Sequence, residues 1–291
     1  MLDFLTTLIN GLSLGGVYAM IALGYTMVYG IAKMLNFAHG DIIMVGGFAL
    51  LIVCNATGLT SVSLIVAVVV CMAVGILTEI LAYRPLRGAS PLAVLITAIG
   101  VSYLLRSIAQ LAFGTEAKYL EINMGTIAIG SFRLSVGTLV TLLSASLVMV
   151  LLTLFINKTR TGKAMLAVSE DKDAAQLMGI NSNKIIMITF AIGSALAALA
   201  GFFIILKNPF SVNNTMGAMP GIMAFTAAGI GGIGSIPGAM LGGLALGIIE
   251  TFSNSVPALN PYTVAIEFAL LIVILIVKPT GLIGKKKREK V

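Results

Sequence analysis

Charge is scarce in this chain. Asp, Glu, Lys and Arg make up 10% of its 291 residues, against roughly a quarter in soluble globular domains, which excludes an ordinary water-soluble domain. Tryptophan is absent, and there is one histidine and two cysteines. Cys54 and Cys71 both lie in apolar runs, so they read as packing residues rather than a disulfide or metal pair. No positive residue precedes Lys33 and the first charge is Asp3, so the basic leader of a cleaved secretory signal is missing. A phosphate-cradling P-loop is also missing. Gly162-Lys163 would need glycine at Asn157 and a hydroxyl at Ala164, and Gly284-Lys285 would need glycine at Pro279. Any ATP-derived energy must then come from another subunit.

What the sequence has instead is apolar length. Charge is absent from Phe4–Ala32, Ile42–Thr78, Val136–Ile156, Ile185–Leu206 and Asn208–Ile249. A spanning helix needs roughly 20 apolar residues, and one charge at mid-bilayer costs about 2.5–3.5 kcal/mol on insertion scales. The expected fold class is therefore all-α, a polytopic transmembrane bundle with eight or nine membrane segments, some broken or re-entrant. Spans are expected near 5–32, 41–55, 61–82, 91–113, 136–157, 185–206, 217–234, 236–256 and 262–278. Cationic segments orient them. The 83–90 loop carries Arg84 and Arg87, the 158–184 loop carries Lys158, Arg160, Lys163, Lys172 and Lys184, and the tail Lys285–Lys290 reads KKKREK. All three are expected in the cytoplasm. The tail signals orientation first and attraction to anionic headgroups second; nucleic acid is not an expected partner. Nine spans put the N-terminus outside; eight, with one re-entrant segment, would put it inside.

Two places read as breaks. One is Asn36-Phe37-Ala38-His39-Gly40-Asp41; the other is the glycine-rich stretch from Gly229 to Gly247. Irregular backbone at membrane depth is tolerated where protein or a water-lined cavity takes up its polar groups. Met44–Leu50 (MVGGFAL) and Met240–Leu246 (MLGGLAL) share five of seven residues, either an internal repeat of the kind transporters carry or a coincidence of small-residue helices. Gly234, Gly238 and Gly242 recur at four-residue spacing, which suits close helix packing or a flexing gate. Asn36, His39, Asp41, Gly234, Gly238 and Gly242 are thus the candidate pathway or gate residues. Asp41, Glu79, Arg106, Glu250 and Glu267 are ionisable groups in or beside spans and functional suspects on that ground. Glu79 can face Arg84, and Arg106, Glu250 and Glu267 can pair among themselves. Gly11-Leu12-Ser13-Leu14-Gly15 matches a nucleophile elbow, but that motif needs a strand before a helix, and this one opens an apolar helix.

The segment from 158 to 184 is the polar exception. Ser169 to Asp173 supply capping groups and acids for a helix start, Ala174, Leu177 and Met178 form an apolar ridge, and Gly179 is placed to end the helix. A merely solvated loop needs no ridge, so docking into a partner's groove is expected.

Asp173-Ala174-Ala175 followed by Gly179-Ile180 resembles the coupling segment of ABC importer permeases. Asn36 to Gly40 (NFAHG), Tyr83 to Arg87 (YRPLR) and Gly231 to Gly238 (GGIGSIPG) resemble the branched-chain amino acid permeases of LivH type, over nearly the whole chain. One departure is Asp173, where the commonest family motif begins with Glu. The resemblance implies a single permease domain, 1–291, with a coupling loop at about 158–184 and a basic tail at 285–291. Asp173, Ala174, Ala175, Leu177, Met178 and Gly179 would contact an ATPase. It also implies partners: ATP-binding subunits, a second permease chain or a second copy, an extracytoplasmic binding protein, and Leu, Ile or Val as substrate, in a bacterial or archaeal inner membrane. No cofactor, metal or catalytic residue is implied. An ion-coupled amino-acid carrier is the alternative reading, and a membrane enzyme or scaffold a third.

Overall fold

The computed structural model describes residues 2–129, 132–209 and 211–284; the basic tail expected to orient the chain lies outside them. Among the described residues, eleven α-helices carry the fold. They are α1 (Leu2–Ala32), α2 (His39–Thr57), α3 (Thr60–Thr78, continued by a π-helical turn Glu79–Tyr83), α4 (Pro91–Phe113), α5 (Val136–Lys158), α6 (Arg160–Glu170), α7 (Lys172–Leu177), α8 (Ser182–Lys207), α9 (Ala218–Gly231), α10 (Ile236–Ser255) and α11 (Thr263–Val277). Among the described residues, eight helical stretches are long and apolar enough to cross a membrane, so this is a multi-pass helical membrane protein. The small addition to an all-α reading is a hairpin, β1 (Thr126–Ile129) with β2 (Phe132–Ser135), in antiparallel register Thr126 to Ser135.

The bundle has two ends. At the hairpin end, the Phe4 and Phe252 rings lie 5.3 Å apart and Thr138 bonds Asn10 at 3.4 Å. At the basic end, Arg87 bonds Asn183, and the Leu282 and Ile283 amides donate to the carbonyls of Ile230 and Gly231 at 2.8 and 3.0 Å. The described chain starts at the hairpin end and finishes at the basic end, so it crosses an odd number of times.

The expected segment 217–234 is found as α9, Ala218–Gly231. At 14 residues, α9 is too short to count among the full-length spans; it measures about 21 Å against a hydrocarbon core of about 30 Å. Irregular chain at 208–209 and 211–217 completes the pass. It leaves the hairpin end where Lys118 and Leu120 amides bond the Val212 and Pro209 carbonyls at 2.7 and 2.9 Å. It then follows α2 inward until Gly217 meets Gly40. The expected break from Gly229 to Gly247 is correspondingly smaller. Only a turn at 232–235 is irregular, and α10 runs unbroken from Ile236, capped by the Ser235 hydroxyl, which accepts from the Gly238 amide at 3.2 Å.

Small residues set the packing, as expected where lipid supplies no hydrophobic drive between helices. Gly11 and Gly15 of α1 meet Gly247, Leu244 and Gly243 of α10, and a Cβ on Gly15 would lie 2.7 Å from the Leu244 Cα. The nucleophile-elbow match therefore ends as a helix contact. Gly46 of α2 packs on Ala198 of α8 and on Cys71. Cys54 and Cys71 are unpaired. The repeated heptapeptides both fall in regular helix, one in α2 and one in α10.

Candidate functional site

The first break lies inside the bundle. After α1 ends, Lys33 takes φ +58 and the chain turns back inward. Its return brings His39 level with Gly24 and Tyr25 of α1, seven or eight residues and about 10–12 Å short of the end of α1. The rings of Tyr25 and His39 meet edge-on at 4.7 Å. A Cβ on Gly24 would fall 2.6 Å from His39 Cε1, so glycine there is the condition for seating the imidazole. Asn36, His39 and Asp41 are 2%, 1% and 1% exposed.

These side chains do not cap α2. Its N-cap is Ala38, with no side-chain cap bond, so a surface turn that merely starts the helix does not describe the place. Asn36 Oδ1 instead accepts from the Tyr83 hydroxyl at 2.8 Å. His39 bonds the backbone of Ile21. Asp41 Oδ1 accepts from Arg106 Nε at 2.6 Å, and Ser102 faces the same carboxylate. Asn36 Nδ2, His39 Nε2, Asp41 Oδ2 and the hydroxyls of Thr26 and Thr226 have no hydrogen-bond partner among the described residues. Buried polar atoms are rarely left so. A polar centre with spare valence thus surrounds the start of α2, with His39 against α1, Asp41 against α4 and Asn36 against the π-helical turn.

The charges pair differently from expectation. Arg106 joins Asp41, 65 residues away, and is not part of a cluster with Glu250 and Glu267. Those two acids are neighbours near the hairpin end, with Tyr18 and Lys207 beside Glu250. Glu79 pairs with Arg87 rather than Arg84. Gly234, Gly238 and Gly242 do not join the polar centre. Gly234 lies in the turn at φ +93, while Gly238 and Gly242 press on Gly231 and Ala227 of α9.

The polar segment forms two helices at the basic end. The Thr159 hydroxyl caps α6, accepting from the Gly162 amide at 3.0 Å. Asp171 caps α7, accepting from the amides of Asp173 and Ala174 at 3.0 and 2.9 Å. Gly179, at φ +83, closes α7. Its amide bonds the Gln176 carbonyl at 2.9 Å, and the next amide, Ile180, bonds the Ala175 carbonyl at 3.0 Å, the two bonds of a Schellman motif. Asp173 and Ala174 are exposed, and Leu177 and Met178 are 89% and 83% exposed. Ala175 departs from the expected contact set. It is 4% exposed and belongs to the chain's own core, so it seats α7 on the bundle.

These features define a class: the membrane-embedded subunit of a transporter, with a polar centre between helices and a fixed apolar point projecting from one end. The particular family follows from comparison. The profile of the family described as "Branched-chain amino acid transport system / permease component" matches residues 7–275, and the chain belongs to that family. It is 42% identical to the high-affinity branched-chain amino acid transport system permease protein BraD of Pseudomonas aeruginosa, over 99% of this chain and 98% of that one. It is also 42% identical to LivH of Escherichia coli, over 100% and 98%. A probable LivH of Methanocaldococcus jannaschii is 30% identical over 91% and 88%.

Proposed function

We propose that this chain is a membrane subunit of an ATP-driven importer that carries branched-chain amino acids, Leu, Ile or Val, across a bacterial or archaeal inner membrane. Full-length similarity to permeases named for that transport supports the substrate class. The structural observation that carries the mechanism is α7: a capped helix that presents Leu177 and Met178 to water at the basic end. Large apolar side chains held rigidly in the open are a docking surface, and a chain without a P-loop needs an ATPase to dock there. The basic end faces the cytoplasm by the positive-inside rule, which puts the start of α1 and the hairpin outside, where a binding protein would deliver substrate. A second permease chain completes the membrane part. Asn36, His39 and Asp41 line or gate the pathway from inside the bundle; Gly234, Gly238 and Gly242 let α9 and α10 move as one. Family membership does not favour the ion-coupled carrier.

The test is uptake in vesicles. Leucine uptake by the chain with its partner permease should require the ATPase subunit and ATP. Uptake driven by a proton or sodium gradient without the ATPase would refute the assignment.

A further inference from the structure

Helix α4 is lipid-facing on one side and polar on another. At 100° per residue, Gly100, Tyr103, Arg106, Ser107 and Gln110 fall within one sector about 120° wide. All face out of the chain: Tyr103 is 65% exposed, the Arg106 side chain 31%, and Gly100, Ser107 and Gln110 are exposed. The adjoining sector carries Leu104, Ile108 and Leu111 at 58%, 54% and 88% exposure. Elsewhere the exposed membrane faces are aliphatic, as with Ile65 and Val69 of α3 or Ile272, Val273 and Ile276 of α11. Ser146 of α5 is exposed but turns its hydroxyl onto the Leu142 carbonyl at 2.8 Å. The Ser107 hydroxyl and Gln110 amide have no such partner among the described residues. Hydrocarbon cannot satisfy an amide, a hydroxyl and a guanidinium, so this sector faces water or protein.

Arg106 sits in it with a fixed orientation. Nε donates inward to Asp41 Oδ1 at 2.6 Å, and Asp41 is 1% exposed. Spending Nε inward leaves the two terminal amino groups, a planar fork matched to a carboxylate, to serve the open side. We propose that this sector of α4 lines the transport pathway and that Arg106 holds the α-carboxylate of the passing amino acid, with Asp41 as the positioning residue. The proposal rests on the importer reading. The sector runs from mid-helix to Gln110 near the hairpin end, the end at which substrate enters in that reading. Towards the basic end, Leu92, Ile96 and Ile99, at 63%, 60% and 43% exposure, replace it with an apolar surface.

The experiment uses the assembled importer in a Cys54→Ala/Cys71→Ala background, with a cationic, water-soluble methanethiosulfonate as probe. Ser107→Cys and Gln110→Cys should react at least tenfold faster than Leu104→Cys and Ile108→Cys. Leucine should slow the reaction of Ser107→Cys, and leucinamide, which lacks the carboxylate, should not. Arg106→Gln alone strands Asp41 and is expected to assemble poorly. The pair variant Asp41→Asn/Arg106→Gln removes both charges, should assemble like the parent, and should lose at least tenfold in leucine uptake. Equal labelling of the two sectors, equal protection by leucine and leucinamide, or parental uptake by the pair variant would each overturn the proposal. A parent complex that takes up no leucine would instead count against the importer reading.

Discussion

Replacing Leu177 and Met178 together by serine tests whether α7 is a coupling element. Both side chains protrude, 89% and 83% exposed, and neither belongs to an apolar cluster among the described residues. The fold should therefore hardly respond, since surface substitutions usually shift stability by less than about 0.5 kcal/mol. A docked ATPase would feel the change fully. Burying a leucine or methionine is worth about 1.5–3 kcal/mol, so the two contribute roughly 3–6 kcal/mol of gross contact. Ordering and imperfect packing consume part of that. If half survives, at about 1.4 kcal/mol per tenfold, affinity falls by roughly one to two orders of magnitude. The assay is co-purification of the ATPase with a tagged permease from detergent, with size-exclusion behaviour reporting the fold. Expected are a parental elution profile and a loss of at least tenfold in retained ATPase. Lys172→Gln is the control, since an exposed charge is worth at most about 1 kcal/mol. Parental retention and uptake by the double variant would show that α7 is a solvated connector.

Three further outcomes are expected. Ala174→Arg should insert normally and lose ATPase retention, whereas Ala175→Arg, one residue on, should lower yield and thermal stability because that side chain is 4% exposed; identical phenotypes would contradict the orientation of α7. Gly15→Val should cut thermal stability by more than the 1–3 kcal/mol typical of overpacking, because the Leu244 Cα and carbonyl that its Cβ would meet at 2.7 and 2.8 Å are backbone; an unchanged melting temperature would refute the close contact of α1 with α10. Single cysteines placed in 83–90 and 158–184 should resist an impermeant thiol reagent in intact cells while one beside Lys118 reacts, and labelling of all three from outside would overturn the orientation.

The long spans were legible because a bilayer leaves so few alternatives: runs without charge had to be helices. The place of the short α9 was legible as well, expected at 217–234 and found at Ala218–Gly231; its being too short to cross alone was not, because Asn208–Ile249 holds no charge to mark where helix gives way to irregular chain. Its entry through Asn208, Pro209 and Asn213 reads as ordinary loop until Gly217 is seen against Gly40. The caps of α7 were readable from Asp171 and Gly179, whose chemistry is local. Its inward face was not, since six residues give no periodicity to separate Ala174 from Ala175. Arg106 was a visible suspect with the wrong expected partners. Its bond to Asp41 depends on α4 crossing the start of α2, and no spacing rule reaches across 65 residues. The one available signal was that a buried Asp41 needs a cation and the neighbouring spans offer few.

The joint between α5 and α6 is a single residue, Thr159. Its amide donates to the Phe155 carbonyl at 3.1 Å, its carbonyl accepts from the Lys163 amide at 3.0 Å, and its hydroxyl donates back to Phe155 at 2.7 Å. Gly162 lies so close to Phe155 and Ile156 that no Cβ would fit. Such a corner has little compliance. A displacement of α6 by a few ångströms cannot be taken up as bending at the joint, so it arrives as tilt of α5, a 23-residue rod about 34 Å long. The far end of that rod adjoins the hairpin, so a small stroke at one membrane face is read out at the other.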